Sequence, residues 1–110
     1  MGKSESKNEC EIMRYSILFS FEAENEAMEA YDWYKQYSDE LAQSFQHALN
    51  SKIESLKENP FTPSYILEDY RSSKIRTFPY NIIFKVKGTQ IHITAIFHSS
   101  RNPKEWIKRI

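Results

Sequence analysis

Residues 80–98, YNIIFKVKGTQIHITAIFH, decide the fold, because two alternating segments flank a glycine turn. Alternation of apolar and polar residues is typical of a half-buried strand. Gly88 supplies the positive φ that a tight hairpin turn needs. We therefore predict strands at residues 80–86 and 90–98, whose inward faces carry Ile82, Phe84 and Val86 on the first and Ile91, Ile93, Ala95 and Phe97 on the second.

The segments beside this hairpin extend it on both sides. Residues 74–78 are predicted as a further strand, with Ile75 and Thr77 on one face, so that three consecutive strands form an antiparallel meander. Residues 61–69 are expected to form a loop or short edge segment. Residues 99–103 interrupt the strand pattern, and residues 104–110 are expected to form a short basic tail of one or two helical turns.

The first half of the chain has helical periodicity. In residues 22–37 the apolar side chains recur at three- and four-residue steps, and Ser38 is placed to cap a second helix that ends at Asn59-Pro60. The apolar face of that second helix is predicted to carry Leu41, Phe45, Ala48, Leu49, Ile53 and Leu56. Two such helices joined by a short connection form an antiparallel hairpin.

An alternating strand precedes the helices at residues 14–21, with Tyr15, Ile17, Phe19 and Phe21 facing inward. The predicted fold class is α+β with the order β-α-α-β-β-β: an antiparallel sheet, made of the meander plus the N-terminal strand, with the helical hairpin on one face. The opposite face should carry polar and basic side chains, namely Arg76, Lys85, His92, Thr94 and His98. Residues 1–12 are expected to be a flexible leader and residues 13–110 one domain.

Charge is distributed unevenly along a chain whose formal net charge is zero. Residues 1–70 hold six Lys/Arg and fourteen Asp/Glu, a net charge of −8, whereas residues 71–110 hold nine Lys/Arg and one acid, Glu105, a net charge of +8. A positive surface attracts nucleic acid or an acidic partner. The alternative is that the two halves only neutralise each other in the folded protein.

Several classes of protein are excluded by composition. No apolar run is long enough to span a membrane, and we expect no secretory signal, because no charged segment followed by an apolar one is found near residue 1. The single cysteine, Cys10, suits a reducing cytoplasm, so we expect cytoplasmic localisation. With Gly2 and Gly88 as the only glycines, neither a P-loop nor a dinucleotide-binding turn can form. His47, His92 and His98 lack metal-ligand spacing, and we expect no metal and no cofactor.

The segment HSSRNP at residues 98–103 is the candidate functional loop, because binding groups are often placed where a strand ends. The guanidinium of Arg101 suits phosphate or carboxylate, and His98 can move a proton near neutral pH. Each residue has a structural alternative: Arg101 could pair with Glu105, and His98 could hydrogen-bond the loop. Lys74 from the preceding strand is the third candidate for a catalytic role.

Other residues are candidates for a basic groove that binds a target: Arg76, Tyr80, Lys85, His92, Trp106, Lys108 and Arg109. The rings of Tyr80 and Trp106 could stack on a base. The structural alternatives are that Tyr80 fixes a turn and that Trp106 packs the terminal helix onto the sheet, which is the commoner role of such a residue.

The sequence resembles the RelE/ParE toxin superfamily. Residues 78–84, FPYNIIF, are similar to the superfamily's FPY-x-I-x-[FY] strand, and residues 91–106, IHITAIFHSSRNPKEW, are similar to its I-x-I-x-A-[IV]-x-H-x-x-R-x-P-x-x-W ending. Asn59-Pro60 at the end of the helical hairpin also matches. The resemblance covers residues 13–109. It implies the toxin of a bacterial type II toxin–antitoxin system, in which a protein antitoxin neutralises the toxin and prevents growth arrest; some such systems stabilise plasmids.

The resemblance implies one of two activities: ParE-like members poison DNA gyrase, and RelE-like members cut messenger RNA on the ribosome. Arg101 matches the loop arginine of the ribonucleases, and Lys74 matches one of their lysines. Asn81 stands where an arginine is expected, and Ile107 stands where a tyrosine is expected. Losing either group should cost on the order of 10²-fold in rate or more. The ParE-like activity, which needs no catalysis, is therefore favoured.

Three functions follow from the resemblance: a gyrase inhibitor, a ribosome-dependent endoribonuclease, and an inactive domain that only binds an antitoxin. All three imply the same protein partner. We expect the antitoxin to supply an acidic and apolar segment, as a helix or an added strand, that folds onto the toxin. A homodimer or a toxin–antitoxin hetero-oligomer is compatible with the sequence, and no membrane association is expected.

Overall fold

The computed structural model describes residues 15–108, so the proposed leader at 1–12 and Arg109 lie outside the described residues. The chain order is β-α-α-β-β-β-β-α. The elements are β1 (Ser16–Phe19), α1 (Phe21–Lys35), α2 (Asp39–Glu58), β2 (Tyr65–Leu67), β3 (Tyr70–Lys74), β4 (Tyr80–Lys87), β5 (Gln90–His98) and α3 (Lys104–Ile107). Neither long helix in this range has an apolar stretch that could cross a bilayer.

One five-stranded sheet has the order β1-β5-β4-β3-β2. Strands β2 to β5 form an antiparallel meander. Its last three strands were predicted, and β2 lies at the edge of the sheet within residues 61–69, which were expected to form a loop or a short edge segment. The N-terminal strand β1 pairs parallel to β5, with Ile17 opposite Ile91, and so corrects the expectation of a fully antiparallel sheet. The α+β class and the helical hairpin on one face are confirmed.

Serine caps begin both long helices. The Ser20 hydroxyl accepts a hydrogen bond from the Ala23 amide at 3.0 Å, and the predicted Ser38 cap accepts from the Leu41 amide at 2.9 Å. Because Ser20 already starts α1, Phe21 lies in the helix and is 75% exposed, and the prediction that it faces inward from a strand is wrong.

The main core lies between the helices and the sheet. Phe45 from α2 is fully buried, and the rings of Tyr34, Phe78 and Tyr80 each pack 5.4 Å from it, centroid to centroid. Burial of one such side chain stabilises the fold by about 1.5–3 kcal/mol. The predicted apolar face of α2 is confirmed, since its residues are buried or pack against this core.

The strand predicted at residues 74–78 is shifted. Strand β3 ends at Lys74, and residues 75–79 form a turn in which Ile75 is buried and Thr77 is exposed. Thr77 has a φ of 65°, which is unusual for a β-branched residue. Lys74 braces this turn, because its Nζ donates to the Phe78 carbonyl at 3.2 Å. Ile75 and Thr77 therefore do not share a strand face.

A β-bulge in β5 changes which side chains reach each face of the sheet. Ile83 pairs with Ala95 but Phe84 pairs with Ile93, so Thr94 is an extra residue. Beyond it, Ala95 and Phe97 join a second cluster with Ile83 and Trp106, whereas Ile96 joins the main core. The prediction that Ile91, Ile93, Ala95 and Phe97 share one face is therefore wrong.

Helix α1 holds this bulge in place. The Ser20 amide donates to the Ile93 carbonyl at 2.9 Å, and the Ser20 hydroxyl donates to the Thr94 carbonyl at 3.1 Å. One turn further, the Glu26 carboxylate accepts from the Ile96 amide at 2.9 Å. Side-chain groups thus bind backbone groups of the bulge that the strand pairing leaves available.

We expect replacement of Thr77 by glycine to stabilise the protein. A left-handed backbone costs a non-glycine residue about 1–2 kcal/mol, which exceeds the entropy that glycine loses on folding, about 0.5–1 kcal/mol. Thr77→Gly should therefore raise the melting temperature by a few degrees in a thermal unfolding scan. Thr89→Gly is the matched control, because Thr89 follows Gly88 in a turn without a positive φ, and it should lower the melting temperature. Equal changes in both variants would contradict this account.

Candidate functional site

Three predicted site residues meet in one small cavity, which we call the edge pocket. Tyr80, His98 and Arg101 line it together with Glu26, Glu29 and other residues of α1, and its volume is about 220 Å³. The bulge is responsible, since it turns His98 to the helix side of the sheet. The predictions that His98 lies on the opposite face, and that it shares a face with His92, are therefore wrong.

Tyr80 and His98 are in direct contact. They are cross-strand partners, and their rings pack edge to face with centroids 4.9 Å apart. Burial raises the pKa of the Tyr80 phenol above its ordinary value of 10; the Arg101 guanidinium acts in the opposite direction, and the Glu29 carboxylate adds to the increase. Tyr80 is therefore protonated at neutral pH and can act there as a hydrogen-bond donor.

His98 is oriented by the loop that follows it. Its Nδ1 accepts a hydrogen bond from the Ser100 amide at 3.0 Å, and the Ser100 hydroxyl lies 2.8 Å from the same nitrogen. A neutral imidazole held in this way carries its proton on Nε2. The predicted alternative, in which His98 hydrogen-bonds the loop, describes the observed geometry.

Arg101 has one weak ionic partner. Its Nη1 lies 3.5 Å from Glu105 Oε1, and both side chains are more than half exposed. An exposed pair one helical turn apart contributes at most about 1 kcal/mol. The predicted pairing with Glu105 is present, and Arg101 also lines the edge pocket.

Lys74 and Arg76 do not line the edge pocket. Lys74 is engaged with the carbonyls of its own turn. Arg76 belongs to that turn and lines a groove beside α2, so its predicted position on a strand of the opposite face is wrong. The structure thus separates these two cations from Arg101.

Lys85 and His92 lie on the sheet face opposite the helices. They are cross-strand partners, and Lys85 Nζ lies 5.4 Å above the ring of Tyr70. With Lys87 and apolar side chains from β1, they line a cavity of about 420 Å³ that we call the outer pocket. The predicted basic character of this face is confirmed at these positions.

The remaining predicted residues are at the C-terminal end. Trp106 is 4% exposed and packs with Ile83, Ala95 and Phe97, 6.1 Å from the ring of Tyr70. This position supports the packing interpretation of Trp106 over base stacking. Lys108 is exposed, and Arg109 lies outside the described residues.

The sequence interpretation missed three residues of the edge pocket: Glu26, Glu29 and Trp33. The sequence analysis assigned no site role to either acid. Their spacing of three and four residues places them on one ridge of α1, and Trp33 is outside the apolar stripe of that helix. A large aromatic residue beside two acids and off the buried stripe was the available signal.

The two layers of the fold differ in charge. Residues 21–58, the helical layer, hold three lysines and nine acids, a net charge of −6; residues 65–108 hold eight Lys/Arg and three acids, a net charge of +5. Folding therefore concentrates the charge asymmetry of the sequence on opposite sides of the molecule. Among residues 15–108, no group of three or more His, Cys, Asp or Glu is placed to bind a metal.

Solved structures of other proteins share this architecture. The chain is similar to one in the chromosomal ParDE TA system from P. aeruginosa, with a TM-score of 0.68 and 19% identity over 78% of this chain and 97% of that one. It is also similar to a YoeB dimer from Staphylococcus aureus, with a TM-score of 0.55 and 20% identity over 77% of this chain and 97% of that one. A search of the curated proteins gave no match.

These likenesses show the fold, and together with a family model they support the RelE/ParE superfamily that the sequence motifs indicated. Within that class, the family model for the ParE toxin of type II toxin-antitoxin system, parDE, matches residues 17–103. The chain belongs to this ParE toxin family.

Loss of the Glu26 carboxylate should destabilise the bulge. Glu26→Leu leaves the buried Ile96 amide without its acceptor, which costs about 1–3 kcal/mol of unfolding free energy. Glu26→Gln keeps a carbonyl oxygen and should cost less. Denaturant unfolding measures both effects, and Glu29→Leu, at an exposed position on the same helix, is the control. A Glu26→Leu protein as stable as the control would show that this hydrogen bond does not hold the bulge.

Removal of Arg101 should raise the pKa of Tyr80 further, because the guanidinium favours the phenolate. Ultraviolet difference titration of Arg101→Gln against the unmodified protein measures the change. Lys104→Gln removes an exposed charge at the start of α3 and should leave the titration of Tyr80 unaltered. An unchanged pKa in Arg101→Gln would mean that the guanidinium does not act on this pocket.

Proposed function

We propose that this ParE-family chain is a toxin that arrests bacterial growth by inhibiting DNA gyrase in the cytoplasm, without catalytic chemistry of its own. The observation that carries the proposal is the match of a ParE family model to 87 of the residues, from 17 to 103. The chemistry of the edge pocket supports the same conclusion.

A ribonuclease site has to stabilise extra negative charge on a phosphate. In the edge pocket, Arg101 and His98 lie beside two carboxylates, Glu26 and Glu29, which disfavour a phosphate. Lys74, the other cation assigned by the resemblance, is held by turn carbonyls. Asn81, at the position of an expected arginine, donates to the Ser99 hydroxyl at 3.3 Å. These features support an activity that does not cleave RNA.

The second candidate is a RelE-like, ribosome-dependent endoribonuclease. It is favoured by the convergence of Tyr80, His98 and Arg101, which are a proton donor, a proton carrier and a cation in one pocket. A third candidate, an inactive domain that only binds an antitoxin, predicts no effect on growth.

Tight induction in a bacterial host that carries a DNA-damage reporter distinguishes the three functions. Growth arrest with the reporter active is the expected result, because a gyrase poison breaks the chromosome. Arrest with a silent reporter and new messenger RNA 5′ ends within codons would favour the ribonuclease. Normal growth would favour the inactive domain. Purified protein should also inhibit supercoiling by gyrase in vitro, and unaffected supercoiling would refute the proposal.

We also propose that the antitoxin binds at the outer pocket. The two strand residues Lys85 and Lys87 supply positive charge there, and Leu18 and Phe19 supply exposed apolar surface at the free edge of β1. An acidic and apolar segment that adds a strand to this edge would satisfy both features. Helix α1, on the other side of the sheet, holds five acids and one lysine, a net charge of −4, and would repel the same segment.

The double variant Lys85→Glu, Lys87→Glu should escape neutralisation. Reversing two charges at the outer pocket should weaken antitoxin binding by about tenfold or more, since each 1.4 kcal/mol is a factor of ten. Co-expression with the antitoxin from the same operon measures rescue of growth, and calorimetry of the pair measures affinity. The control is Lys35→Glu, Lys57→Glu, which makes the same charge change on the helical layer. Full neutralisation of the first variant would place the antitoxin elsewhere.

A further inference from the structure

A long groove runs beside α2, on the side away from α1. It has no role in the function proposed above. Its volume is about 1040 Å³. One wall is the polar face of α2 from Glu40 to Ser55, and the other is the turn at residues 76–78. At 1.5 Å per residue, this wall of α2 is about 22 Å long.

The side chains in this groove are those that contact phosphate groups in nucleic-acid complexes. Hydroxyls come from Ser44, Ser51 and Ser55, and cations come from Lys52 on the helix and Arg76 on the turn. Hydroxyl, lysine and arginine side chains are among the groups that contact the sugar-phosphate backbone. Glu40, at one end, is the acid that also lines the groove.

Both cations are available for a ligand. Within residues 15–108, neither Lys52 nor Arg76 forms an ion pair or a side-chain hydrogen bond. By contrast, Arg71 on β3 is held by the Phe61 and Pro63 carbonyls at 3.1 and 2.6 Å, and Lys57 pairs with Glu54. Arg76 was predicted from the sequence to bind a target on the outer face of the sheet. In the structure it lines this groove instead.

The turn that carries Arg76 is held in one conformation. The Ile75 amide donates to the Tyr80 carbonyl at 2.8 Å, Lys74 binds the Phe78 carbonyl, and the Phe78 ring is anchored in the core. A cation on a braced turn loses less freedom on binding than one on a mobile loop. The left-handed Thr77 next to Arg76 is the kind of backbone strain that is often found at functional positions.

We propose that this groove binds the phosphodiester backbone of a nucleic acid, with Arg76 and Lys52 on phosphates and the serine hydroxyls beside them. Among the lining residues, no phenylalanine, tyrosine or tryptophan ring is exposed, since Phe78 is 8% exposed, and the imidazole of His47 is the one exposed ring. The groove therefore offers more contacts to the sugar-phosphate backbone than stacking surface for bases. The groove lies apart from the outer pocket and the edge pocket. The test of this proposal therefore does not depend on whether the chain inhibits gyrase or where the antitoxin binds.

Fluorescence anisotropy of the full-length chain with labelled single-stranded RNA, single-stranded DNA and duplex DNA, over a series of salt concentrations, tests the proposal. Each phosphate contact contributes about 0.7 to the salt slope for a single strand and about 0.9 for a duplex. The double variant Arg76→Gln, Lys52→Gln should lower the slope by about 1.4 or 1.8, respectively. Its affinity should fall by about tenfold or more.

The matched control is Lys35→Gln, Lys57→Gln, which removes the same charge outside the groove and should keep the slope. Thermal unfolding of all variants checks that each is folded. Comparison of the affinities for the RNA and DNA probes shows which of the two nucleic acids the groove binds. The proposal would be overturned if both double variants lost the same affinity, or if none of the three probes bound. It would also be overturned if polyglutamate competed with the probe as well as unlabelled nucleic acid does, because the groove would then be a site for acidic protein.

Discussion

The attachment of α1 to the bulge in β5 determines which residues reach each face of this protein. Ser20 and Glu26 together bind three backbone groups between residues 93 and 96. The bulge reverses which sheet face each side chain takes in the second half of β5. As a result His98 reaches the helix side and Phe97 packs against Trp106 on the other side. Because a one-residue shift exchanges the two faces of a strand, the edge pocket exists only while this attachment holds.

Charge separation is the second organising feature. The sheet lies between an acidic helical layer and a basic outer face, and the parallel pairing of β1 adds exposed apolar side chains at the edge of that face. A partner that is both acidic and apolar is thereby directed to one side of the molecule. The groove beside α2 differs from its surroundings, because Arg76 and Lys52 bring positive charge to the border of the acidic layer.

Local sequence signals predicted most of the architecture. Ser38 acts through a side-chain cap, and Asn59-Pro60 and Gly88 act through backbone geometry. These effects are local, so the hairpin of helices and the hairpin of strands could be placed from residue type alone. The bulge could not, because the alternation at residues 90–98 is regular and the extra residue is defined by contacts with α1, 70 residues away. Strand β3 was displaced for a related reason: its sequence, YRSSK, lacks apolar alternation and pairs because β4 lies beside it. Consequently Arg101, His98 and Tyr80 were selected as candidate residues, but neither their convergence in one pocket nor its acidic wall was predicted.

The parallel pairing of β1 with β5 has a consequence for synthesis. The first strand of the described chain finds its partner in residues that follow it by about 74 positions. During translation, at roughly 5–20 residues per second, the pairing of β1 and the contacts of Ser20 with residues 93 and 94 can form only after β5 has left the ribosome. The helical hairpin can form early from local contacts, but the sheet edge and the bulge are completed last. The nascent protein therefore acquires the edge pocket and the outer pocket only after residue 98 has left the ribosome.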